Sequence, residues 1–175
     1  MSSGAPELLT LLAARGDTLG TCESVTAGLA AASLADVPGA SAVLRGGLIT
    51  YATAVKAHFT HVPLERLEAQ GVVSEYTALK MAQAACDETD ADWGLSFTGV
   101  AGPDMQEDKL AGTVYIGVAS RVYDVAEAYA AQGLEGSRNE IRRGAVEQGF
   151  ALLTSYIEDN SPQREQPDIV VRWTK

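Results

Sequence analysis

The chain has 175 residues and a formal net charge of -10 at pH 7, and 46% of its residues are hydrophobic. This length and composition predict one globular domain with a single core. Because the basic residues are scattered along an acidic chain, nucleic acid is not expected as a partner. No apolar run approaches the roughly 20 residues that span a bilayer, and residues 1–6 lack the basic start of a signal peptide. We therefore expect a cytoplasmic protein that does not bind a membrane.

Helices and strands alternate in the first half of the chain. The predicted helices cover residues 7–14, 26–34, 53–59 and 63–69, and the predicted strands cover residues 18–22 and 47–51. Thr26 is placed to cap the second of these helices, because a threonine oxygen can accept hydrogen bonds from a first helical turn. Such alternation is typical of strands that are joined by helices.

The second half adds a hairpin and a long final helix. The predicted elements are a helix at 74–86, a strand at 92–97, hairpin strands at 113–120 and 123–132, and a helix that ends near residue 157. Ser137 and Glu140 form an S-x-x-E capping box at the start of that helix. This order predicts a single domain over residues 1–160, a three-layer α/β/α sandwich with a mixed sheet. Residues 161–167 are polar and broken by proline, which predicts a tail over residues 161–175.

Two strand–helix junctions carry the most informative side chains. Ser24, Thr26 and Gly28 follow the first predicted strand, Tyr51 ends the second one, and Lys56 lies on the helix after it. In open α/β proteins, ligands bind at the carboxyl edge of the sheet, where such junctions meet. A lysine can act as the base for a serine if burial or a cationic neighbour lowers its pKa from about 10.4 toward 7–8. The pattern therefore indicates a small hydrolase.

Each of these residues also has an ordinary structural interpretation. Thr26 can be only a helix cap, Ser24 can simply end a strand, and a lone lysine is most often a solvated charge. Gly28 costs a helix about 1 kcal/mol relative to alanine, which favours a position where a ligand approaches the backbone. The sequence has no G-x-G-x-x-G motif and no phosphate-binding Gly-Lys-Ser/Thr, so hydride transfer and nucleoside triphosphate hydrolysis are not expected. Its two cysteines lie in apolar elements and suggest buried thiols rather than a metal site.

Two further segments offer groups for an anion. Thr98 and Gly99 begin the loop of residues 98–104, whose backbone N–H groups could face an anion or an oxyanion. Arg138 and Arg142 lie near the start of the last helix, where arginines can grip a phosphate. The simpler interpretations are an ordinary turn and ion pairs with neighbouring glutamates.

Six motifs in a fixed order resemble the C-terminal domain of the CinA family. They are E-S-V-T-A-G at 23–28, P-G-A-S at 38–41, G-L-I-T-Y at 47–51, Lys56, G-V-V-S-E at 71–75 and T-G-V-A-G-P-D at 98–104. The likeness covers nearly the whole chain, from the first helix to about residue 157. The family usually has two glycines where this chain has Ala27 and Gly28.

The resemblance implies an activity and a set of catalytic residues. Family members with this domain alone are commonly amidohydrolases that convert nicotinamide mononucleotide to nicotinic acid mononucleotide and ammonia. On this pattern the nucleophile is Ser41, with Ser24 as the other candidate. Lys56 is then the base, and Tyr51 orients its amine or relays the proton.

The resemblance also implies the ligands and the assembly. We expect the nucleotide to contact Thr26, Gly28, Thr98, Gly99 and one arginine, either Arg138 or Arg142. No metal ion and no cofactor is expected, and relatives with this domain are oligomeric, which predicts a dimer or larger. The alternative is a nucleotide-binding or regulatory module of the family with weak turnover, because the methyl group of Ala27 could crowd the ligand.

Overall fold

The computed structural model describes residues 4–160, which form six helices and five strands. The helices are α1 (Ala5–Arg15), α2 (Leu29–Ala35), α3 (Thr53–Thr60), α4 (Leu64–Gln70), α5 (Glu75–Thr89) and α6 (Arg138–Asp159). The strands are β1 (Leu19–Glu23), β2 (Leu44–Ile49), β3 (Trp93–Gly99), β4 (Val114–Ser120) and β5 (Val125–Ala130). The predicted boundary between the domain and its tail lies at the limit of the described residues and stays a prediction.

The five strands form one sheet in the order β2-β1-β3-β4-β5. Strand β1 pairs in parallel with both β2 and β3, whereas the β3–β4 and β4–β5 pairs are antiparallel. Helices α1, α2 and α6 contact one another on one face of the sheet, and α5 with α3 and α4 covers the other. The predicted three-layer α/β/α sandwich with a mixed sheet is therefore confirmed.

The two faces of the sheet are packed differently. Large buried side chains fill the space beneath α1, α2 and α6, among them Leu12, Phe97 and Phe150. On the opposite face α5 lies directly on strand glycines. A Cβ at Gly94 would stand 2.0 Å from the carbonyl oxygen of Ala82, a distance that no packed structure accommodates.

Two hydrogen bonds show the direction in which α5 runs along β3. Thr98, near the end of β3, donates a hydrogen bond to the carbonyl of Val72, just before α5 begins. Ser96 donates to the carbonyl of Ala78, one turn into the helix. Helix α5 therefore runs antiparallel to β3, and its first turn lies at the carboxyl edge of the parallel strands.

One predicted strand is shifted. Strand β2 spans Leu44–Ile49 rather than residues 47–51, and Thr50 donates its N–H to the carbonyl of Glu23 just beyond it. Tyr51 thus lies in the turn before α3 rather than on a strand. Within residues 4–160, no helix has the length and apolar character that crossing a membrane requires.

Candidate active site

A cavity of about 350 Å³ opens at the carboxyl edge of β1, β2 and β3. Six of the residues predicted for the site line it: Ser24, Tyr51, Lys56, Thr98, Gly99 and Arg138. They come from four places in the chain, namely the junctions after β1 and β2, the end of β3 and the start of α6. The rest of the wall comes from Val25, Thr53, the Val72–Val73 turn and most of residues 100–106.

Lys56 is the least exposed charged group at the cavity, with only 1% of its surface accessible. Its ammonium group forms no hydrogen bond and no salt bridge with any residue of the described range 4–160. Burial lowers the pKa of Lys56 from 10.5 to about 8, and the nearby Cys22 and Glu107 oppose this by raising it. At pH 7 about a tenth of this amine is therefore neutral, a far larger share than for an ordinary lysine, and this neutral form can act as a general base.

Ser24 lies immediately after β1 with its hydroxyl at the cavity. Its N–H donates to the carbonyl of Phe97, and its own carbonyl accepts the N–H of Ala27. The backbone of Ser24 is thus held on both sides. Its Oγ forms no hydrogen bond with another group in residues 4–160 and remains available to a substrate.

Glu23 fixes the turn that follows Ser24, and sequence reasoning assigned it no role. Its buried carboxylate accepts the N–H groups of Gly28, Ala30 and Ala31 at 2.9–3.0 Å. These are donors of the first turn of α2, which otherwise lack partners inside the helix. The signal that could have identified it is a glutamate at the end of a wholly buried strand, a few residues before a helix.

Thr26 was predicted to cap α2, and this is wrong. Ala27 and Gly28 both adopt positive φ angles, 50° and 93°, so the helix begins only at Leu29. The Glu23 carboxylate takes the capping role instead. The Oγ1 of Thr26 is buried and lacks a hydrogen-bond partner within residues 4–160. Neither Thr26 nor Gly28 is part of the cavity wall.

The two candidate arginines have different surroundings. Arg142 donates to the carbonyls of Val25 and Thr26, at 3.1 and 2.7 Å, and so braces the turn behind Ser24. It does not line the cavity. Arg138 does line it, and donates to the carbonyl of Gly102 and to the hydroxyl of Tyr51, each at 2.8 Å.

Tyr51 and Thr98 both line the cavity, but they differ in exposure. Tyr51 is 57% exposed at the rim, where its hydroxyl accepts the hydrogen bond from Arg138. Thr98 is buried and gives its hydroxyl proton to the carbonyl of Val72, 2.8 Å away. The Thr98 oxygen can still accept a hydrogen bond from a ligand, but its proton is already engaged.

Ser41 lies away from the cavity. It is exposed on a short 3-10 turn, Ala40–Ala42, that precedes β2, whereas Tyr51 and Lys56 follow that strand. A six-residue strand is about 20 Å long. Within this chain, the structure therefore brings Lys56 together with Ser24 and not with Ser41, the serine that we preferred from the sequence.

Several backbone donors at the cavity are unused within residues 4–160. The N–H groups of Val25, Ala101 and Gly102 form no hydrogen bond there, and all three residues line the cavity. Val25 directly follows Ser24, the position from which many hydrolases donate to an oxyanion.

The described residues contain no cluster of His, Cys, Asp and Glu side chains that could hold a metal ion. Cys22 and Cys86 are buried free thiols, as predicted, and burial raises the pKa of each to about 12. The nucleophilic and basic groups at the cavity are thus an alcohol and an amine rather than a thiolate.

The comparisons with known proteins agree on one family. A family model described as the CinA C-terminal domain matches residues 2–157. A relative from Streptococcus thermophilus, named as a competence-damage inducible protein, is 44% identical over 162 residues. A relative of the same name from Lacticaseibacillus casei is 45% identical over 157 residues. These matches cover 91% and 90% of this chain but only 38% of each relative, so the chain spans less than two fifths of their length.

Solved structures show the same similarity in three dimensions. The competence/damage inducible protein CihA from Agrobacterium tumefaciens superposes with a TM-score of 0.82 at 30% identity, covering 88% of this chain and 93% of that one. A CinA superfamily protein from Klebsiella pneumoniae gives a TM-score of 0.84 at 26% identity, covering 91% and 99%. The family-model match spans most of the chain and the structural matches span the whole fold, so the chain belongs to the CinA C-terminal domain family.

Proposed function

We propose that this protein is an amidohydrolase that converts nicotinamide mononucleotide to nicotinic acid mononucleotide and ammonia. The observation that carries the proposal is the buried, unpaired amine of Lys56 in the same cavity as the free hydroxyl of Ser24. An amine whose pKa is about 8 can accept the proton of a serine hydroxyl near neutral pH. The nucleotide substrate is the one that the resemblance to the CinA family implies, and its amide would provide the carbon that Ser24 attacks.

In the first half of the reaction, Ser24 Oγ bonds to the carboxamide carbon while neutral Lys56 takes the hydroxyl proton. The tetrahedral intermediate then collapses, the C–N bond breaks, and Lys56 returns the proton to the departing nitrogen, which leaves as ammonia. The product of this half is an ester between Ser24 and the nicotinoyl group. In the second half, Lys56 takes a proton from water, whose oxygen attacks the ester. The acid is released, and the Ser24 hydroxyl regains its proton.

The unused N–H of Val25 supports a site for the oxyanion. It belongs to the residue after the proposed nucleophile, lines the cavity and has no hydrogen-bond partner within residues 4–160. In other enzymes, removing one such donor raises the barrier of the reaction by about 3 kcal/mol. Thr98 is less suited to this role than we expected, because its proton already serves the Val72 carbonyl. We assign Thr98 instead to holding the α5 turn and accepting a hydrogen bond from the substrate.

Arg138 is the better candidate for the substrate phosphate. It lies at the mouth of the cavity, and the unused N–H groups of Ala101 and Gly102 lie in the same wall. A guanidinium has five N–H donors, so its two present hydrogen bonds leave others for a phosphate. Its bond to Tyr51 couples that phosphate subsite to the tyrosine near Lys56. Arg142, by contrast, is engaged with two backbone carbonyls.

The test is ammonia release from nicotinamide mononucleotide by four purified proteins: wild type, Ser24→Ala, Lys56→Met and Ser41→Ala. We expect Ser24→Ala to lose at least about 10³-fold in kcat and Lys56→Met about 10²–10⁴-fold. Ser41→Ala is the matched control and keeps wild-type rates. Activity that survives in Ser24→Ala but not in Ser41→Ala would reverse the assignment. Equal activity in all four proteins would remove the serine–lysine pair altogether.

The alternative of a nucleotide-binding or regulatory module makes a different prediction for the wild type. Calorimetry would then detect binding of nicotinamide mononucleotide, while no ammonia would form even at high protein concentration. In either case Arg138→Met should weaken binding more than Arg143→Met, because Arg143 is an exposed residue of α6 that does not line the cavity.

We also propose that the protein self-associates. Strands β2 and β5 are the two edges of the sheet, and β2 has an exposed Ile49 at its end. Val55 of α3 is exposed close to it in sequence. An uncovered edge with apolar neighbours favours contact with a second copy. Light scattering at micromolar concentration tests this, and a monomer mass contradicts it.

A further inference from the structure

The outer wall of the cavity is a long connection between β3 and β4. Residues 100–113 form this connection, and Asp104, Met105 and Gln106 contribute directly to the wall. Val100 and Ala101 at its start are buried, but residues 103–108 are exposed, Met105 by 55%, so this outer part gains little from burial in a core. Something other than hydrophobic packing must hold it in place.

Glu107 provides that attachment. Its Oε1 accepts the N–H of Val72 and its Oε2 accepts the N–H of Val73, each at 3.0 Å. Val72 also accepts the hydroxyl proton of Thr98 through its carbonyl, so one peptide segment links Glu107 to the floor of the cavity. Hydrogen bonds to an ionised carboxylate are the stronger kind. Lys109 pairs with the same carboxylate at 3.6 Å.

The charge state of Glu107 fits this role. Partial burial raises the pKa of its carboxyl, but the bonds from Val73 and Val72 and the neighbouring Lys109 outweigh it and lower the pKa below the ordinary value. Glu107 is therefore ionised at neutral pH. Its negative charge also acts on Lys56, where it opposes the effect of burial.

We propose that Glu107 is a positioning residue, which fastens the outer wall to the Val72–Val73 turn and sets a fixed negative charge near Lys56. The effect of Glu107 on catalysis rests on the proposed function. The attachment of the outer wall and the effect of Glu107 on the pKa of Lys56 can both be tested without substrate. Glu107 touches no reacting atom and acts through the wall and through Lys56.

The groups around Lys56 determine the sign of the expected effect. Cys22 faces it from β1 and Glu107 from the outer wall, while Tyr51, Asp104 and Arg138 line the same cavity. Glu107→Gln removes one negative charge from this set and leaves the size of the side chain unchanged. The protonated form of Lys56 is then less favoured, so its pKa falls.

Three variants separate the two parts of the proposal. Glu107→Gln loses both the charge and one accepting oxygen. Glu107→Asp keeps the charge, but its carboxylate is one methylene too short to reach both N–H groups. Asp108→Asn is the matched control, because Asp108 is an exposed neighbour with the same charge that does not line the cavity.

Two measurements on the intact protein without substrate decide the outcome. Hydrogen exchange should show the amides of Val72 and Val73 exchanging about tenfold faster in Glu107→Gln and Glu107→Asp than in wild type. NMR titration of the Lys56 side chain should show a lower pKa in Glu107→Gln, a nearly unchanged one in Glu107→Asp, and no change in Asp108→Asn. The chain has four lysines, so Lys56→Arg assigns the signal.

Two results would overturn the proposal. One is wild-type exchange at Val72 and Val73 together with an unchanged Lys56 titration in Glu107→Gln. The other is an equal effect of Asp108→Asn, which would make loop charge rather than Glu107 responsible. Failure of the wild type to release ammonia would count against the proposed function. The hydrogen-exchange and titration measurements would still test the role of Glu107. If the wild type is active, Glu107→Gln should also shift the acidic limb of its kcat/KM profile to lower pH.

Discussion

Replacing Lys56 by methionine should make the protein more stable while removing the proposed amidase activity. The side chain is 1% exposed and unpaired within residues 4–160, and its pKa is lowered from 10.5 to about 8. A fall of about 2.5 in pKa corresponds to about 3 kcal/mol that the folded state spends on keeping this amine charged. Methionine has a similar shape and carries no charge, so Lys56→Met should recover most of that free energy at pH 7.

The stabilisation by Lys56→Met should decrease as the pH rises. Below about pH 8 Lys56 is protonated in both the folded and the unfolded chain, so the full cost is present. Above pH 8 the folded protein releases the proton, while the unfolded chain keeps it up to its ordinary pKa. The stabilisation by Lys56→Met should therefore decline from about 3 kcal/mol at pH 7 to about 1 kcal/mol at pH 10.

Urea unfolding of wild type and Lys56→Met at pH 7, 9 and 10 measures this difference. Both proteins contain the buried thiols Cys22 and Cys86, so the contributions of these thiols largely cancel when the two free energies are subtracted. Lys80→Met is the matched control, since Lys80 is only partly buried and donates to Gln83, and it should change stability by at most about 0.5 kcal/mol. A variant that is no more stable than wild type at pH 7, or a gain that does not decline toward pH 10, refutes the reasoning.

Three other changes test the framework around the cavity. Arg142→Met leaves two turn carbonyls without their donor and should lower kcat by about 10- to 100-fold, whereas Arg143→Met should leave the steady-state rate unchanged. Ala27→Gly relieves a left-handed residue with φ of 50° and should stabilise the protein by up to about 1 kcal/mol in urea unfolding; a loss of stability contradicts this. Gly94→Ala places a methyl group 2.0 Å from the Ala82 carbonyl and should destabilise by about 3 kcal/mol, so an unchanged urea midpoint would mean that α5 is not seated as described.

Much of the site followed from one rule applied to the sequence. Residues that follow parallel strands meet at one edge of the sheet, and this rule predicts that Ser24, Lys56 and the end of β3 lie together. The same rule, applied more strictly, excludes Ser41 from the edge of the sheet that carries Ser24 and Lys56. It precedes β2 instead of following it, so it belongs to the opposite edge, and only the order of motifs suggested otherwise.

Other features could not be derived from the sequence because they depend on long-range packing. Arg138 and Arg142 lie one turn apart on α6, and only the seating of that helix decides which one faces the cavity and which one braces the turn. The contact of Glu107 with Val72 joins residues 35 apart in sequence, with no local pattern to indicate it. Periodicity predicts which face of an element is buried, whereas such contacts also need the register between elements.

The position of Ser24 therefore depends on groups that a substrate never touches. Its N–H bonds to Phe97 of β3, the turn after it is capped by Glu23 of β1, and the back of that turn is held by Arg142 of α6. A shift of any one of these elements moves Ser24, the proposed nucleophile, relative to Lys56, which α3 carries on the other face of the sheet. Because catalysis is sensitive to displacements of about 1 Å, the packing of both helical layers against the sheet sets the geometry of the pair. Changes in either layer should therefore lower activity before they unfold the protein.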